Sequence, residues 1–305
     1  MQMINFQRLQ LSQKQAYEEI LFSGEPRGCE YSFANQYLWG RQQVAFLHGC
    51  VAFFSHWDGR SVYPYPVGSG DRRRVVEELM EDARQRGIPF RLVCMTDSDA
   101  WELREWFPGY FHLRQDRDSF DYVYAIEDLA ELKGRKFQKK RNHYNKYCAA
   151  NPDHQVIPLD CCNLDRARHL VDQWFYHRLR SDPEHNYLLE NLAIARAFHH
   201  YEELGMEGCM LLSGNEVLAV TMATRLTGDT YDVHFEKARE DVDGAYAAIN
   251  CEFARYLRQK HPEVRFLNRE DDMGLEGLRK AKLSYQPHHL LEKQWAYVLE
   301  DLNDL

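Results

Sequence analysis

The sequence contains no C-x-x-C pair, although it has eight cysteines: Cys29, Cys50, Cys94, Cys148, Cys161, Cys162, Cys209 and Cys251. Zinc ribbons and thioredoxin-type redox sites need that spacing, and disulfide scaffolds need dense cysteines on a short chain. The eight therefore read as reduced thiols, and the expected compartment is the cytoplasm. No apolar run approaches the ~20 residues of a bilayer-spanning helix, and MQMINFQRLQLSQ lacks the charged-then-apolar order of a signal peptide, so no transmembrane segment is expected. H-E-x-x-H, P-loop and G-x-S-x-G patterns are missing too. His199-His200 and His288-His289 are adjacent pairs without i, i+4 partners, so no metal site is expected. Positive charge is in deficit, with 38 Lys and Arg against 47 Asp and Glu, a net charge of -9. Sequence-independent nucleic-acid binding relies on a positive surface to release counterions, so only a local basic patch can serve it here.

What the 305 residues do contain is enough apolar matter, 44%, to fill one large or two ordinary cores. Periodicity predicts a strand over Ser61–Val67, a helix over Asp71–Arg86, a strand over Phe90–Met95, a helix over Ala100–Phe107 and a strand over Ser119–Ile126. The same order returns as Thr230–Glu236, Gly244–Gln259, Val264–Leu267, Gly274–Ala281 and a strand ending WAYVLEDL. FRLVCMTDSD lies over VRFLNREDD and YAIEDL over YVLEDL, at an offset of about 174 residues, the mark of an internal duplication. The segment Gly208–Ala238, with turns at Gly214-Asn215 and Gly228-Asp229, predicts three consecutive antiparallel strands. The expected organisation is an N-terminal domain over 1–130, a basic connecting helix over 131–152 and a C-terminal domain over 153–305. Each domain is expected to be an α/β (α+β) unit with a mixed, mostly antiparallel sheet flanked by helices.

The connecting segment is the most basic in the chain. Lys133, Arg135, Lys136, Lys139, Lys140, Arg141 and Lys146 follow Glu131 with no acidic residue among them. Such a run is either a solvated helix face docked on acidic neighbours or a contact for phosphate or anionic lipid.

Hairpin, strand, a helix opening REDVDGAYAAIN, strand and basic helix together resemble the GNAT acyltransferase fold. In that fold the first turn of the central helix presents unpartnered N–H groups to the donor's pyrophosphate. Arg239 and Gly244 fit the superfamily loop pattern Q/R-x-x-G-x-G/A, while Val242 stands where its first glycine belongs. With the basic segment Lys133–Tyr147 and with NREDDMGLEGLRKAKLSYQP (Asn268–Pro287), nearly the whole chain is similar to the C-terminal domain family of phosphatidylglycerol lysyltransferases and, more distantly, to Fem-type aminoacyltransferases. The resemblance implies two tandem GNAT-like domains and transfer of an amino acid from aminoacyl-tRNA. The membrane-spanning N-terminal region of the full-length lipid lysyltransferases has no counterpart in these residues.

Two stretches stand out as sites. In TYDVHFE, alternation puts Asp232, His234 and Glu236 on one strand face, either the wet face of an ordinary sheet or a cleft wall where a carboxylate or imidazole takes a proton. Asn268-Arg269-Glu270-Asp271-Asp272 follows the next strand, where α/β sheets leave a ligand crevice. There Arg269 suits a carboxylate or phosphate, Glu270 or Asp271 an α-ammonium, and Arg279, Lys280 and Lys282 the donor's phosphates. The alternative is charge pairing and helix capping by Asp271 or Asp272. Glu270, Asp271, His234 and Glu236 are the catalytic candidates; Asn268, Arg269, Asp232, Arg239, Gly244, Arg279, Lys280, Lys282, Lys136, Lys139 and Lys140 are the binding candidates. YPYPVGSGDRRR, with Gly68 and Gly70 in the place of the donor loop, reads as a turn before a helix capped by Asp71, the alternative being a vestigial donor site. The expected activity is acyl or aminoacyl transfer to an amine or hydroxyl on a small molecule, peptide or lipid. Aminoacyl-tRNA or acyl-CoA acts as co-substrate and no cofactor is tightly held. The alternative is a non-catalytic module binding RNA or a lipid headgroup.

Overall fold

The computed structural model describes residues 3–57, 59–182 and 187–300. The strands in chain order are β1 (Gln42–Leu47), β2 (Cys50–Trp57), β3 (Arg60–Pro64), β4 (Arg91–Met95), β5 (Phe111–Gln115), β6 (Asp121–Ala125), β7 (Gln155–Pro158), β8 (Glu207–Ser213), β9 (Glu216–Arg225), β10 (Thr230–Ala238), β11 (Phe266–Asn268), β12 (His289–Leu291) and β13 (Gln294–Val298). The helices are α1 (Lys14–Gly24), α2 (Phe33–Trp39), α3 (Arg72–Arg86), α4 (Asp97–Trp106), α5 (Ile126–Glu131), α6 (Gln138–Ala150), α7 (Leu164–Ser181), α8 (Leu188–His199), α9 (Ala245–Lys260) and α10 (Glu276–Leu283).

Two sheets follow one plan. The first runs β1-β2-β3-β4-β13-β5 and the second β12-β6-β11-β10-β9-β8-β7. In each, an antiparallel meander ends on a strand that pairs in parallel with the next, β3 with β4 and β10 with β11. A crossover helix, α3 or α9, makes each parallel step possible. The pairs β1/β2, β2/β3, β4/β13, β13/β5, β6/β11, β9/β10, β8/β9 and β7/β8 are all antiparallel. The tandem GNAT-like architecture is therefore present, and the matched order supports the duplication read from YAIEDL and YVLEDL. Both copies leave their strand at this motif and turn helical, α5 beginning at Ile126, while Asp301 and Leu302 lie outside the described residues.

The domain boundaries differ from the expected cuts at 130 and 152. One compact unit comprises the residues up to Asp121, Asp271–Glu276 and those from Leu290 onward; the other comprises Tyr122–Glu270 and Gly277–His289. The reason is a strand exchange: β6, from the first repeat, pairs with β11, and β13, from the second, sits between β4 and β5. The connecting segment is not one helix either. Leu132 closes α5 in a left-handed conformation, Gly134 has φ +82°, and the chain becomes helical again only at Arg135.

In the first unit Asp71 caps α3 by accepting from Arg74 N at 3.0 Å, and the helix lays Val75, Val76, Leu79 and Ala83 on a core with Tyr63, Leu92, Leu103 and Ala296. Asp97-Ser98-Asp99 form the first turn of α4, where Thr96 and Asp99 make a capping box. Also within that unit, Lys293 is buried on Asp121 (2.7 Å) and Glu30 (2.5 Å). In the second unit α9 buries Ala247, Ala248, Ile249, Phe253, Ala254 and Leu257. Each fully buried Leu, Ile or Phe contributes about 1.5–3 kcal/mol, and the alanines let the helix approach β8–β10 closely.

Candidate functional site

The second unit builds its site where two parallel strands part. β10 and β11 pair only at Thr230/Phe266, Tyr231/Leu267 and Asp232/Asn268. Beyond that point β10 continues to Ala238, whereas the chain after β11 turns to β6, with Arg269 N donating to Tyr122 O and Tyr122 N to Glu270 O. The wedge between them receives the side chains that follow.

Opposite β9, the register of β10 slips between Val233 and Phe235, a bulge at His234. Bulges re-aim a side chain, and here the imidazole meets Thr224, whose Oγ1 lies 2.8 Å from Nε2. Its Nδ1 lies 3.5 Å from Asp232 Oδ2 and 3.4 Å from Glu270 Oε1 without a hydrogen bond. The His234 and Asp232 side chains are fully buried. Glu270 reaches the cluster from a left-handed backbone, φ +58°, an arrangement non-glycine residues adopt at a cost of roughly 1–3 kcal/mol. Asn268, also buried, holds that turn by accepting from Glu270 N at 2.8 Å.

A second group adjoins the first through the chain from Glu270 to Arg269. Arg269 donates to Glu236 at 2.8 Å, and Glu236 also accepts from Asn250 at 3.3 Å. The ion pair is buried, its side chains only 13% and 10% exposed. The guanidinium carbon lies 4.8 Å from the Tyr285 ring centre and 5.6 Å from that of Tyr124. Buried Nη1 of Arg269 and Oδ1 of Asn250 have no hydrogen-bond partner. Lys282 donates to Arg269 O at 2.5 Å.

Lys140 belongs to this group as well. Its Nζ sits 3.7 Å from the Tyr285 ring centre. Burial and the neighbouring Arg269 charge, opposed by Glu236, bring its pKa down to about 8. A lysine that exchanges its proton near neutrality can act as an acid or base. Elsewhere in the basic segment Lys136 pairs with Asp128 (2.9 Å), Lys146 with Asp243 (3.3 Å), Arg141 donates to the backbone oxygens of Leu132 and Gly134, and Lys139 is exposed.

The remaining candidates fall elsewhere. Asp271 and Asp272 belong to the first unit. Asp272 is fully buried there, accepting from Gly274 N at 2.9 Å and pairing with Arg117 at 3.2 Å, a capping and packing role. Arg239 is bound to Asp241 (2.7 Å) and Glu216 (2.5 Å). Gly244 ends the loop before α9 with φ +82°, and a Cβ there would lie 2.3 Å from His143 O, so packing against α6 alone requires glycine. On α10, Arg279 is half-buried and Lys280 exposed.

Thr224, Asn250, Tyr124 and Tyr285 are the site residues that the sequence reading missed. Thr224 is the cross-strand partner of Asp232, a relation fixed only by register. Lys140 carried a readable signal of its turn inward, because Phe137, Lys140, Tyr144 and Tyr147 recur every three or four residues and share a helix face. Among the described residues no helix is long and apolar enough to cross a membrane.

Paired sheets and a strand-splayed wedge define a tandem GNAT-like fold. The profile of the family "Phosphatidylglycerol lysyltransferase, C-terminal" matches residues 23–297, and the chain belongs to that family. A conserved protein of unknown function from Bacteroides thetaiotaomicron is similar over 97% of this chain and all of its own, with 34% identity and a TM-score of 0.90. L-PGS from Bacillus licheniformis shares the fold at 14% identity and a TM-score of 0.69, over 96% of this chain and 93% of its own. An uncharacterised protein from Mycoplasmoides gallisepticum is 21% identical over 212 residues, 68% of this chain but 65% of the relative's length.

Proposed function

We propose that the protein transfers an aminoacyl group from aminoacyl-tRNA to an amine or hydroxyl acceptor. The observation that carries this reading is the wedge beyond Asp232–Asn268, lined by a buried, partly unsatisfied polar cluster. An ester carbonyl seated in it takes a hydrogen bond from Arg269 Nη1, which otherwise lacks one, and charge developing on that oxygen strengthens the bond. Lys140, with its lowered pKa, takes the proton of the attacking acceptor and returns it to the tRNA ribose oxygen as the ester C–O bond breaks. His234 does not meet the acceptor directly, since Thr224 holds one ring nitrogen and Asp232 and Glu270 face the other. Lys136 and Lys139 carry the donor's phosphates, with Arg279 and Lys280 as further candidates. The donor is a co-substrate, no organic cofactor is tightly held, and the reaction belongs in the cytoplasm. The acceptor is a small molecule, a peptide or a lipid headgroup.

The test is to incubate the full chain with radiolabelled bulk aminoacyl-tRNA, or separately with acetyl-CoA, and with a panel of amine, peptide and phosphatidylglycerol acceptors. Label moving from tRNA to an acceptor supports the reading. Transfer only from the thioester replaces the donor. Salt-sensitive tRNA binding without loss of label instead identifies a non-catalytic module, an alternative favoured by Val242 at the first glycine position of the donor loop.

A further inference from the structure

We infer that Asp232, His234 and Glu270 form a divalent-cation site of the imidazole-and-carboxylate kind, taking zinc or manganese. The three residues each offer one ligand atom, and these atoms lie within 4.8 Å of one another. His234 Nδ1 is the decisive atom. It is buried, makes no hydrogen bond, and faces the two carboxylates at 3.5 and 3.4 Å. Those gaps are long for hydrogen bonds, which run about 2.7–3.2 Å. They match the edge of a tetrahedron whose ligands lie about 2.0–2.1 Å from its centre, roughly 3.3–3.4 Å.

The surroundings suit metal ligation as well. Thr224 Oγ1 lies 2.8 Å from Nε2; when Nε2–H donates to it, Nδ1 presents its lone pair to the cluster. A second hydrogen bond of this sort is what fixes the tautomer of metal-ligating histidines. Two carboxylates and a neutral imidazole carry a formal charge of -2, which a divalent cation balances. Three protein ligands leave coordination positions open, the arrangement of catalytic rather than structural sites. The left-handed backbone at Glu270 and the bulge at His234 are what bring these side chains together. The sequence-based expectation of no metal site rested on adjacent histidines and helical H-E-x-x-H patterns, whereas this cluster joins a strand to a turn nearly forty residues later. A cation here would polarise a carbonyl in the wedge. That consequence rests on the transfer reading, but the binding itself does not.

The experiment measures binding alone. The full, untagged chain is stripped with chelator and titrated with Zn2+, Mn2+ and Co2+ by calorimetry, with bound metal counted by elemental analysis. Exposed Cys161 and Cys162 are adjacent thiols that can also bind soft metals, so the titration is repeated in C161S/C162S. One saturable equivalent is expected in both proteins, with a Co2+ spectrum free of sulfur charge-transfer bands. His234→Gln should abolish it, and Glu270→Gln should weaken it tenfold or more. Absence of that equivalent in the wild type, its disappearance in C161S/C162S, or unchanged affinity in either folded site variant overturns the proposal. Should His234→Gln fail to fold, the wild-type Co2+ spectrum and Glu270→Gln decide the matter.

Discussion

Lys140 points its ammonium at the face of Tyr285, 3.7 Å from the ring centre, although it comes from the most basic run in the chain. Its lowered pKa has a sign that can be checked. Between about 8 and the ordinary lysine value of 10.5 the unfolded chain holds this proton and the folded chain does not, so this residue makes stability rise with pH across that window. The stability difference between wild type and Lys140→Met should therefore move in favour of the wild type from pH 8 to 10.5. A flat difference by denaturant titration places the ammonium in water.

The same lysine should be chemically conspicuous. At pH 8 a limiting amine-acylating reagent should modify Lys140 ahead of exposed Lys139, as read by peptide mass mapping, because the pKa of Lys140 is lowered to about 8. Preferential labelling of Lys139 would show that burial limits access more than the lowered pKa helps.

Arg269 and Glu236 form a buried pair, and removing one member leaves the other uncompensated. Arg269→Ala should cost about 3–5 kcal/mol in denaturation, and Arg269→Met with Glu236→Gln less than the sum of the single changes. Additive costs would mean that the two side chains act separately.

In the first unit, Lys293 is held charged despite burial, which opposes the charge, because Asp121, Cys29 and Glu30 surround it. Lys293→Met should likewise cost about 3–5 kcal/mol. A cost below about 1 kcal/mol would show that water reaches the carboxylates.

Reversing Lys136 and Lys139 to Glu should weaken tRNA binding and flatten its salt dependence by about 0.7–0.9 in log–log slope for each phosphate no longer neutralised. An unchanged slope leaves this face as solvated charge, with Lys136 paired to Asp128.

The elements that local chemistry specifies were legible in the sequence. Asp71 announces α3, Gly244 precedes α9, and β10 extends over the predicted strand. The cluster residues Asp232, His234, Glu236, Arg269 and Glu270 were also named from two short stretches. Partner choice was not legible. Nothing in WAYV says that it lies between β4 and β5, because both of those strands offer equally suitable backbone edges. The bulge that turns His234 toward Thr224 was hidden for the same reason, and strict alternation could not foresee it. Asp272 has the capping and charge-pairing role that the sequence offered as the alternative, and a run of acids does not by itself separate that role from ligand binding.

The exchanged strands also dictate an order of birth. During synthesis β1 to β5 leave the ribosome well before β13, so their sheet lacks this inner strand until Gln294–Val298 emerge. Until then β4 and β5 wait with edges that nothing from their own repeat closes. The second sheet has β6 in hand before most of its partners are made. The sheet begun first is therefore completed after the second, and a chain cut before Gln294 lacks the strand that lies between β4 and β5.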